Sequence, residues 1–287
     1  MTDLIRNSDS KSKPKFKIDC GAKITPENPT TTHWLSNLTY LKTIDKIKAK
    51  MTHKSILEGI FLKEHSVVVK ISNNQENLKK EYDIYEELAK HNIKGILHYY
   101  CYFECNDSIK RIDDGINESL CNGTGDTMRI LVMEYIKNKS FGMHQWKDIE
   151  QIKSCIKQVI CTCLDAFLKC GFVHGDLNCN NILIKNTSIT QIIYKFNDKE
   201  ISIPVKGYKT LFMDFEWSEI NKTAEEFFKD LKLNFATSLS RYIGSNNNVN
   251  FIILQQFGIE FDKLQNKAKN TEDALWVLDI LPLVDQL

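Results

Sequence analysis

Hydrophobic residues in the first half of the chain occur in short runs separated by polar turns, a pattern typical of β-strands. From about Ile44 these runs predict strands at residues 47–50, 55–62, 66–71, 96–103 and 129–135. A helix is predicted between the third and fourth runs, over residues 77–90. Residues 104–128 are rich in Asn, Asp, Gly and Ser, which indicates an exposed insertion.

In the second half the hydrophobic positions recur at the helical period between residues 148 and 169, and Gly171 stands just past the end of that pattern. Short strands are predicted at residues 182–185, 191–196, 200–205 and 211–214. The middle two form a predicted hairpin around Asn197-Asp198. From Ala224 to the last residue the pattern predicts helices.

The composition is that of an ordinary globular protein, with 42% hydrophobic and 26% charged residues among 287. Because 38 Lys and Arg oppose 37 Asp and Glu, the overall charge gives no attraction to nucleic acid or to an anionic membrane. We therefore expect neither as a direct partner. The oligomeric state stays open.

The nine cysteines are odd in number and show no paired spacing, so we expect reduced thiols rather than a disulfide framework or a zinc site. Residues 1–30 are polar without a sustained hydrophobic period and are predicted to be a flexible N-terminal arm. The N-terminus lacks the apolar segment of a signal peptide, and no stretch is long enough to span a bilayer. These features predict a soluble intracellular protein, cytoplasmic or nuclear.

The most informative segment for chemistry follows the predicted helix at 148–169. Asp176 comes shortly after its end, Asn181 lies five positions later, and an apolar strand begins directly afterwards. Phosphoryl transfer requires a carboxylate that orients the attacking hydroxyl, together with hard oxygen ligands for Mg²⁺. Asp176 and Asn181 supply both kinds of group.

Two further signals strengthen this interpretation. Asp214 follows an apolar run 33 residues after Asn181, where a carboxylate at a cleft edge could bind a metal that bridges phosphates. Lys70 follows Val67-Val68-Val69, and a lysine at the end of a buried strand needs a counter-ion. Glu81 lies within the apolar stripe of the helix at 77–90 and is the predicted partner.

In this order the segments resemble a eukaryotic-type protein kinase. Lys70 resembles the lysine that binds the α- and β-phosphates of ATP, and Glu81 resembles its helix partner. Asp176 through Asn181 resembles the catalytic loop, and Asp214-Phe215-Glu216 resembles the metal-binding element. The adenine-binding hinge would correspond to Met133, Glu134 and Tyr135.

The hairpin at residues 191–205 makes the chain most similar to haspin-like serine/threonine kinases within that superfamily. The resemblance implies an α+β, bilobal fold, with a small β-rich N-lobe over residues 31–135 and a larger, mainly helical C-lobe over residues 136–287. It also implies ATP and Mg²⁺ as cofactors. Lys70, Met133, Glu134, Tyr135, Asn181 and Asp214 would bind ATP, with Asn181 and Asp214 holding the metal and Asp176, Lys70 and Glu81 acting in catalysis.

The sequence departs from the usual kinase pattern at four places. A glycine-rich loop is missing, because Gly59 is the one glycine between Lys46 and Lys70. Gly175 replaces the arginine that usually precedes the catalytic aspartate, and Glu216 replaces the glycine that usually follows Asp214-Phe215. No Ala-Pro-Glu element follows Asp214.

These departures leave three functions open. A kinase acting on serine or threonine hydroxyls of a protein is the first choice. The His174-Gly175-Asp176 sequence and the missing Ala-Pro-Glu element also resemble aminoglycoside- and choline-kinase-like enzymes, which phosphorylate small molecules. The missing glycine-rich loop and Glu216 would fit a pseudokinase that acts as a scaffold.

Overall fold

The computed structural model describes residues 38–43, 54–61, 65–73, 77–108, 121, 123–137, 139–242 and 251–287. The predicted arm at residues 1–30 and the predicted strand at 47–50 lie outside the described residues. So do residues 109–120 of the predicted insertion.

A five-stranded antiparallel sheet with one helix forms the first part of the fold. Its strands are β1 (Leu38–Thr43), β2 (Lys54–Phe61), β3 (His65–Ser72), β4 (Tyr99–Asp107) and β5 (Asp126–Glu134). They are arranged in the order β1-β2-β3-β5-β4. The helix α1 (Asn77–Lys90) follows β3. Its buried residues Leu78, Tyr82 and Leu88 share one hydrophobic cluster with Leu131 and Met133 of β5.

Alternation along β3 decides which side chains meet α1. Val67, Val69 and Ile71 are buried in a separate cluster on one face of the sheet. Since successive residues of a strand point to opposite faces, Val68 and Lys70 point to the other face, where α1 packs. This alternation therefore places the Lys70 ammonium group between the sheet and α1.

The second part is mainly helical and is built around α2 (Ile149–Cys170), whose residues are largely buried. Asp148 caps the start of α2 by accepting a hydrogen bond from the Glu150 N–H, and the helix ends at Gly171.

Two short ladders follow, β6 (Ile182–Asn186) with β9 (Tyr208–Phe212), and β7 (Gln191–Phe196) with β8 (Lys199–Pro204). The later helices are α3 (Ala224–Asp230), α4 (Thr237–Tyr242), α5 (Phe251–Lys267) and α6 (Leu281–Val284). A π-helix (Leu231–Ala236) joins α3 to α4, and 3₁₀ segments occupy Phe141–Met143, Phe215–Trp217 and Thr271–Ile280.

The β-rich part and the helical part confirm the α+β class and are consistent with a kinase-like bilobal fold. The predicted helix at 77–90 and the predicted hairpin are confirmed. The strand expected at 96–103 lies further along, at Tyr99–Asp107. The strand expected at 211–214 is Tyr208–Phe212 instead, so it ends two residues before Asp214. β1 was not predicted, and it forms the edge of the sheet.

The expectation of reduced cysteines is wrong for one pair. Cys105 of β4 and Cys121 are joined by a disulfide, whereas Cys155, Cys161, Cys163, Cys170 and Cys179 are free thiols. Two hydrogen bonds hold the returning chain at the end of β4. The Asp107 carboxylate accepts one from the Cys121 N–H at 2.6 Å, and the Asn106 carbonyl accepts one from the Gly123 N–H. This return brings the two cysteines together, and their separation of 16 positions in sequence carries no signal for it.

Candidate active site

Lys70 and Glu81 form a buried ion pair between β3 and α1. The Lys70 Nζ lies 2.9 Å from Glu81 Oε1 and 3.0 Å from Oε2. Glu81 is fully buried, since it lies within the apolar face of α1. A buried carboxylate of this kind requires a cation, and Lys70 supplies it.

Asp214 joins the same ion pair from a distant part of the chain. Its Oδ1 accepts a hydrogen bond from Lys70 Nζ at 2.6 Å, and its side chain is about a third exposed. The residue has φ +65, which lies in the left-handed region that few residues other than glycine adopt. Sequence reasoning placed Asp214 directly at the end of a strand, whereas Met213 separates it from β9.

In this cluster one ammonium group contacts two carboxylates. Burial by itself lowers the pKa of Lys70, but the charges of Glu81 and Asp214 outweigh it and raise that pKa above the usual value. Burial raises the pKa of Glu81, and Asp214 adds to the rise, while the charge of Lys70 opposes it. The cluster thus keeps Lys70 charged.

Asp176 is held by two amide side chains of its own loop. Asn181 Nδ2 donates to Asp176 Oδ2 at 2.8 Å and to the Asp176 carbonyl at 2.9 Å. Asn178 Nδ2 donates to Asp176 Oδ1 at 2.9 Å, and Asn178 Oδ1 accepts from the Asn180 N–H. Both carboxylate oxygens therefore have a fixed direction. The contact of Asn178 with Asp176 was not predicted from the sequence.

The β6–β9 ladder brings the two groups to one end of the fold. Asn181 directly precedes β6 and Asp214 follows β9, and Ile182 pairs with Phe212 in this antiparallel ladder. The Met213 N–H also donates to the Asn181 carbonyl at 3.1 Å. Asn181 and Asp214 thus lie at the same end of the ladder, as a shared metal site would require.

Asp230 is a buried residue that anchors the start of the loop and was missed in the sequence. Its Oδ2 accepts a hydrogen bond from the His174 N–H at 3.2 Å, and its Oδ1 accepts one from Asn234 Nδ2 at 2.6 Å. Asn234 Nδ2 also donates to the Gly175 carbonyl at 3.0 Å. Burial raises the pKa of Asp230. Its position at helical spacing within Phe227, Phe228 and Leu231 was the available signal.

His174 is buried and packs against aromatic side chains. Its Nε2 lies 3.1 Å from the Met213 carbonyl, which links the loop of Asp176 to the segment that leads to Asp214. Its ring lies near Phe172, Phe212 and Phe215. These contacts indicate a structural role for His174.

Gly175 occupies a position where a side chain has no room. Its φ is +76, and a Cβ placed there would lie 2.2 Å from the Trp217 carbonyl oxygen. The arginine usual at this position in protein kinases is therefore excluded by the close approach of the Trp217 backbone. Glu216, in the same segment, accepts a hydrogen bond from Asn77 Nδ2 at the start of α1.

The predicted hinge residues end β5 beside β3 and β4. The Glu134 N–H donates to the His98 carbonyl at 2.8 Å, and the Tyr135 N–H donates to the Ser66 carbonyl at 3.1 Å. These two backbone donors are used within the fold, so adenine could not accept hydrogen bonds from them without displacing these contacts. The Glu134 carboxylate pairs with Lys185 of β6, and Met133 is buried.

Two comparisons with known proteins found similarity to this chain. A model of the RIO domain family matches residues 126–195, from β5 to the first strand of the hairpin, which includes Asp176 and Asn181 but neither Lys70 nor Asp214. A serine/threonine-protein kinase haspin from Bos taurus is 30% identical over 83 residues, which is 29% of this chain. The matched stretch spans 11% of the length of that protein.

Together with the α+β fold, these matches support a divergent member of the protein kinase superfamily. The described part of the chain contains no helix that is long and apolar enough to cross a membrane.

Proposed function

We propose that the protein is an ATP-dependent phosphotransferase that transfers the γ-phosphate of ATP to a hydroxyl group. One observation carries the proposal: Lys70, Glu81 and Asp214 form one ionic cluster, and the ladder β6–β9 holds Asn181 and its partner Asp176 at the same end as Asp214. A loop with a purely structural role would not require charged and amide side chains from four separate segments to lie together.

The donor set fits Mg²⁺. Both hydrogen bonds of the Asn181 side chain come from its nitrogen, which leaves the amide oxygen as a ligand, and the Asp214 carboxylate is partly exposed. Mg²⁺ prefers a few protein oxygens completed by water and phosphate oxygens, and when bound it would neutralise charge on the transferring phosphate. Asn181 and Asp214 are the residues that would hold it.

The other residues have separate roles in this reaction. Lys70, fixed by Glu81, binds the phosphates of ATP and keeps its charge because its pKa is raised. Asp176 accepts a hydrogen bond from the acceptor hydroxyl and takes its proton as the new O–P bond forms and the bond to the β-phosphate oxygen breaks. ADP is the leaving group. The hydrogen bonds from Asn178 and Asn181 keep the Asp176 carboxylate in the required direction.

A serine or threonine hydroxyl on a protein is the acceptor that we propose. The stretch similar to haspin, whose name states a serine/threonine-protein kinase, supports this choice. A small alcohol is the alternative, supported by the His174-Gly175-Asp176 sequence, in which the close approach of Trp217 excludes the arginine usual in protein kinases.

The test compares transfer from labelled ATP by the unmutated protein and by Asp176→Ala. Casein, histone and a panel of amino alcohols serve as acceptors, and Asp198→Ala in the exposed turn of the hairpin is the matched control. We expect Asp176→Ala to keep ATP binding and to lose roughly 100-fold or more of the transfer rate, whereas Asp198→Ala keeps both. Equal transfer by Asp176→Ala and the unmutated protein would refute the role of Asp176. Transfer to amino alcohols alone would replace the protein acceptor by the small-molecule one, and no ATP binding at all would favour the scaffold.

A further inference from the structure

Tyr99, the first residue of β4, places a buried hydroxyl group at the centre of the ionic cluster. The side chain is only 2% exposed, and none of the sequence patterns described above points to it. Its hydroxyl donates a hydrogen bond to Glu81 Oε1 at 2.6 Å. The same oxygen accepts a hydrogen bond from the backbone N–H of Asp214 at 3.2 Å.

These two hydrogen bonds connect the partners of Lys70 by a second route. Lys70 Nζ contacts the carboxylates of Glu81 and Asp214 directly, while Tyr99 joins the carboxylate of one to the backbone of the other. A flexible lysine alone would allow the two acidic residues to move relative to each other. The additional bridge from a rigid phenol fixes the distance between α1 and the segment of Asp214.

The ring of Tyr99 is held in place as firmly as its hydroxyl group. It stacks on Tyr85 of α1 with ring centroids 4.7 Å apart and lies 5.7 Å from the ring of Phe215, which follows Asp214. The left-handed backbone of Asp214 needs such support, because a residue other than glycine adopts this conformation at an energetic cost.

We propose that Tyr99 is a positioning residue that sets the placement of Asp214 relative to Glu81 and Lys70 through its hydroxyl group. Its effect on transfer rests on the proposed function. The placement itself does not, so the two can be tested separately.

The test uses Tyr99→Phe, which keeps the ring and removes the hydroxyl. Tyr102→Phe is the matched control, since Tyr102 is a buried tyrosine of the same strand whose hydroxyl donates to Glu104 outside the cluster. Three quantities are measured for each protein: hydrogen–deuterium exchange of the peptide that contains Asp214, the dissociation constant of Mg²⁺-ATP, and the Mg²⁺ concentration that gives half-maximal transfer.

We expect Tyr99→Phe to exchange the Asp214 amide about tenfold faster, because that N–H loses its buried acceptor. The dissociation constant of Mg²⁺-ATP and the half-maximal Mg²⁺ concentration should each rise about tenfold, with a smaller effect on the rate at saturation. Tyr102→Phe should stay within about twofold of the unmutated protein in all three. A general loss of stability would raise exchange along the whole chain, not only in the peptide that contains Asp214, and would not by itself shift the Mg²⁺ dependence.

The outcomes separate the two proposals. Unchanged exchange of the Asp214 peptide in Tyr99→Phe would overturn the positioning role, whatever the nucleotide measurements show. Faster exchange with unchanged Mg²⁺ dependence would also overturn it as a contribution to transfer. If the unmutated protein binds no Mg²⁺-ATP, the proposed function fails, and the exchange measurement still decides whether Tyr99 places Asp214.

Discussion

Replacing Gly175 by alanine would place a methyl group where the backbone of Trp217 already lies. The added Cβ would be 2.2 Å from the Trp217 carbonyl oxygen, a distance that real Cβ atoms do not show. Gly175 directly precedes Asp176, and Trp217 lies three residues after Asp214. The substitution therefore forces apart two segments that carry the proposed catalytic and metal-binding carboxylates.

The expected magnitude has two parts. Alanine at a φ of +76 costs roughly 1–2 kcal/mol, as for any residue with a Cβ in the left-handed region. Relieving the contact from 2.2 Å to at least 3.0 Å requires a shift of about 0.8 Å, and overpacking of this kind costs about 1–3 kcal/mol. The free energy of unfolding should fall by roughly 2–5 kcal/mol in total, and a displacement near 1 Å should lower transfer about 100-fold.

Gly207→Ala is the control that isolates the contact. Gly207 has a φ of +82, yet a Cβ there would meet no atom within 4 Å. Urea denaturation should show a loss of roughly 1–2 kcal/mol for Gly207→Ala, with transfer unchanged. An equal loss of stability in both variants, or full transfer by Gly175→Ala, would refute the reasoning that the Trp217 backbone requires glycine here.

Asp230→Ala should lower the free energy of unfolding by roughly 1–3 kcal/mol, because the buried His174 N–H loses its acceptor; an unchanged urea midpoint would contradict this. Lys70→Met removes the cation that two carboxylates share, and since burial already raises the pKa of Glu81, ionisation of Glu81 opposes folding. When the pKa of a carboxyl is higher in the folded protein than in the unfolded chain, the protein becomes less stable as pH rises through the folded-state pKa. The free energy of unfolding of Lys70→Met should therefore fall further below that of the unmutated protein at about pH 8 than at about pH 5. Equal losses at the two pH values would count against the charge argument. Burial raises the pKa of Cys161 to about 12, so iodoacetamide should modify Cys161 in urea but not in the folded protein at about pH 7; rapid modification of the folded protein would disprove this protection.

The parts of the fold that the sequence predicted well are those in which local pattern and burial agree. The helix at 77–90 has one apolar stripe, and its observed bounds are the same. The charge of Glu81 within that stripe correctly indicated that it would need a cation, and Lys70 lies within hydrogen-bonding distance. The spacing of Asp176 and Asn181 placed both in one loop, where they contact each other.

The parts that the sequence did not predict depend on contacts between distant segments. β1 carries no apolar run that distinguishes it, and pairing with β2 defines it as a strand. The end of β9 depends on its pairing with β6, which stops at Phe212 and leaves Met213 to bond to Asn181 instead. The disulfide between Cys105 and Cys121 likewise depends on the return of the chain to β4.

Tyr99 and Asp230 share a property that explains why residue types alone could not reveal them. Each side chain accepts a hydrogen bond from a backbone N–H of a segment that forms the site. Tyr99 accepts one from Asp214, and Asp230 accepts one from His174. Because every residue except proline has such an N–H, no residue type at the receiving position indicates the partner. A charged pair such as Lys70 and Glu81 can be predicted from its two members, since each requires the other. The residues that fix the backbone carrying those side chains can be identified only in the folded chain. Here they hold the two segments whose relative placement the proposed phosphate transfer requires.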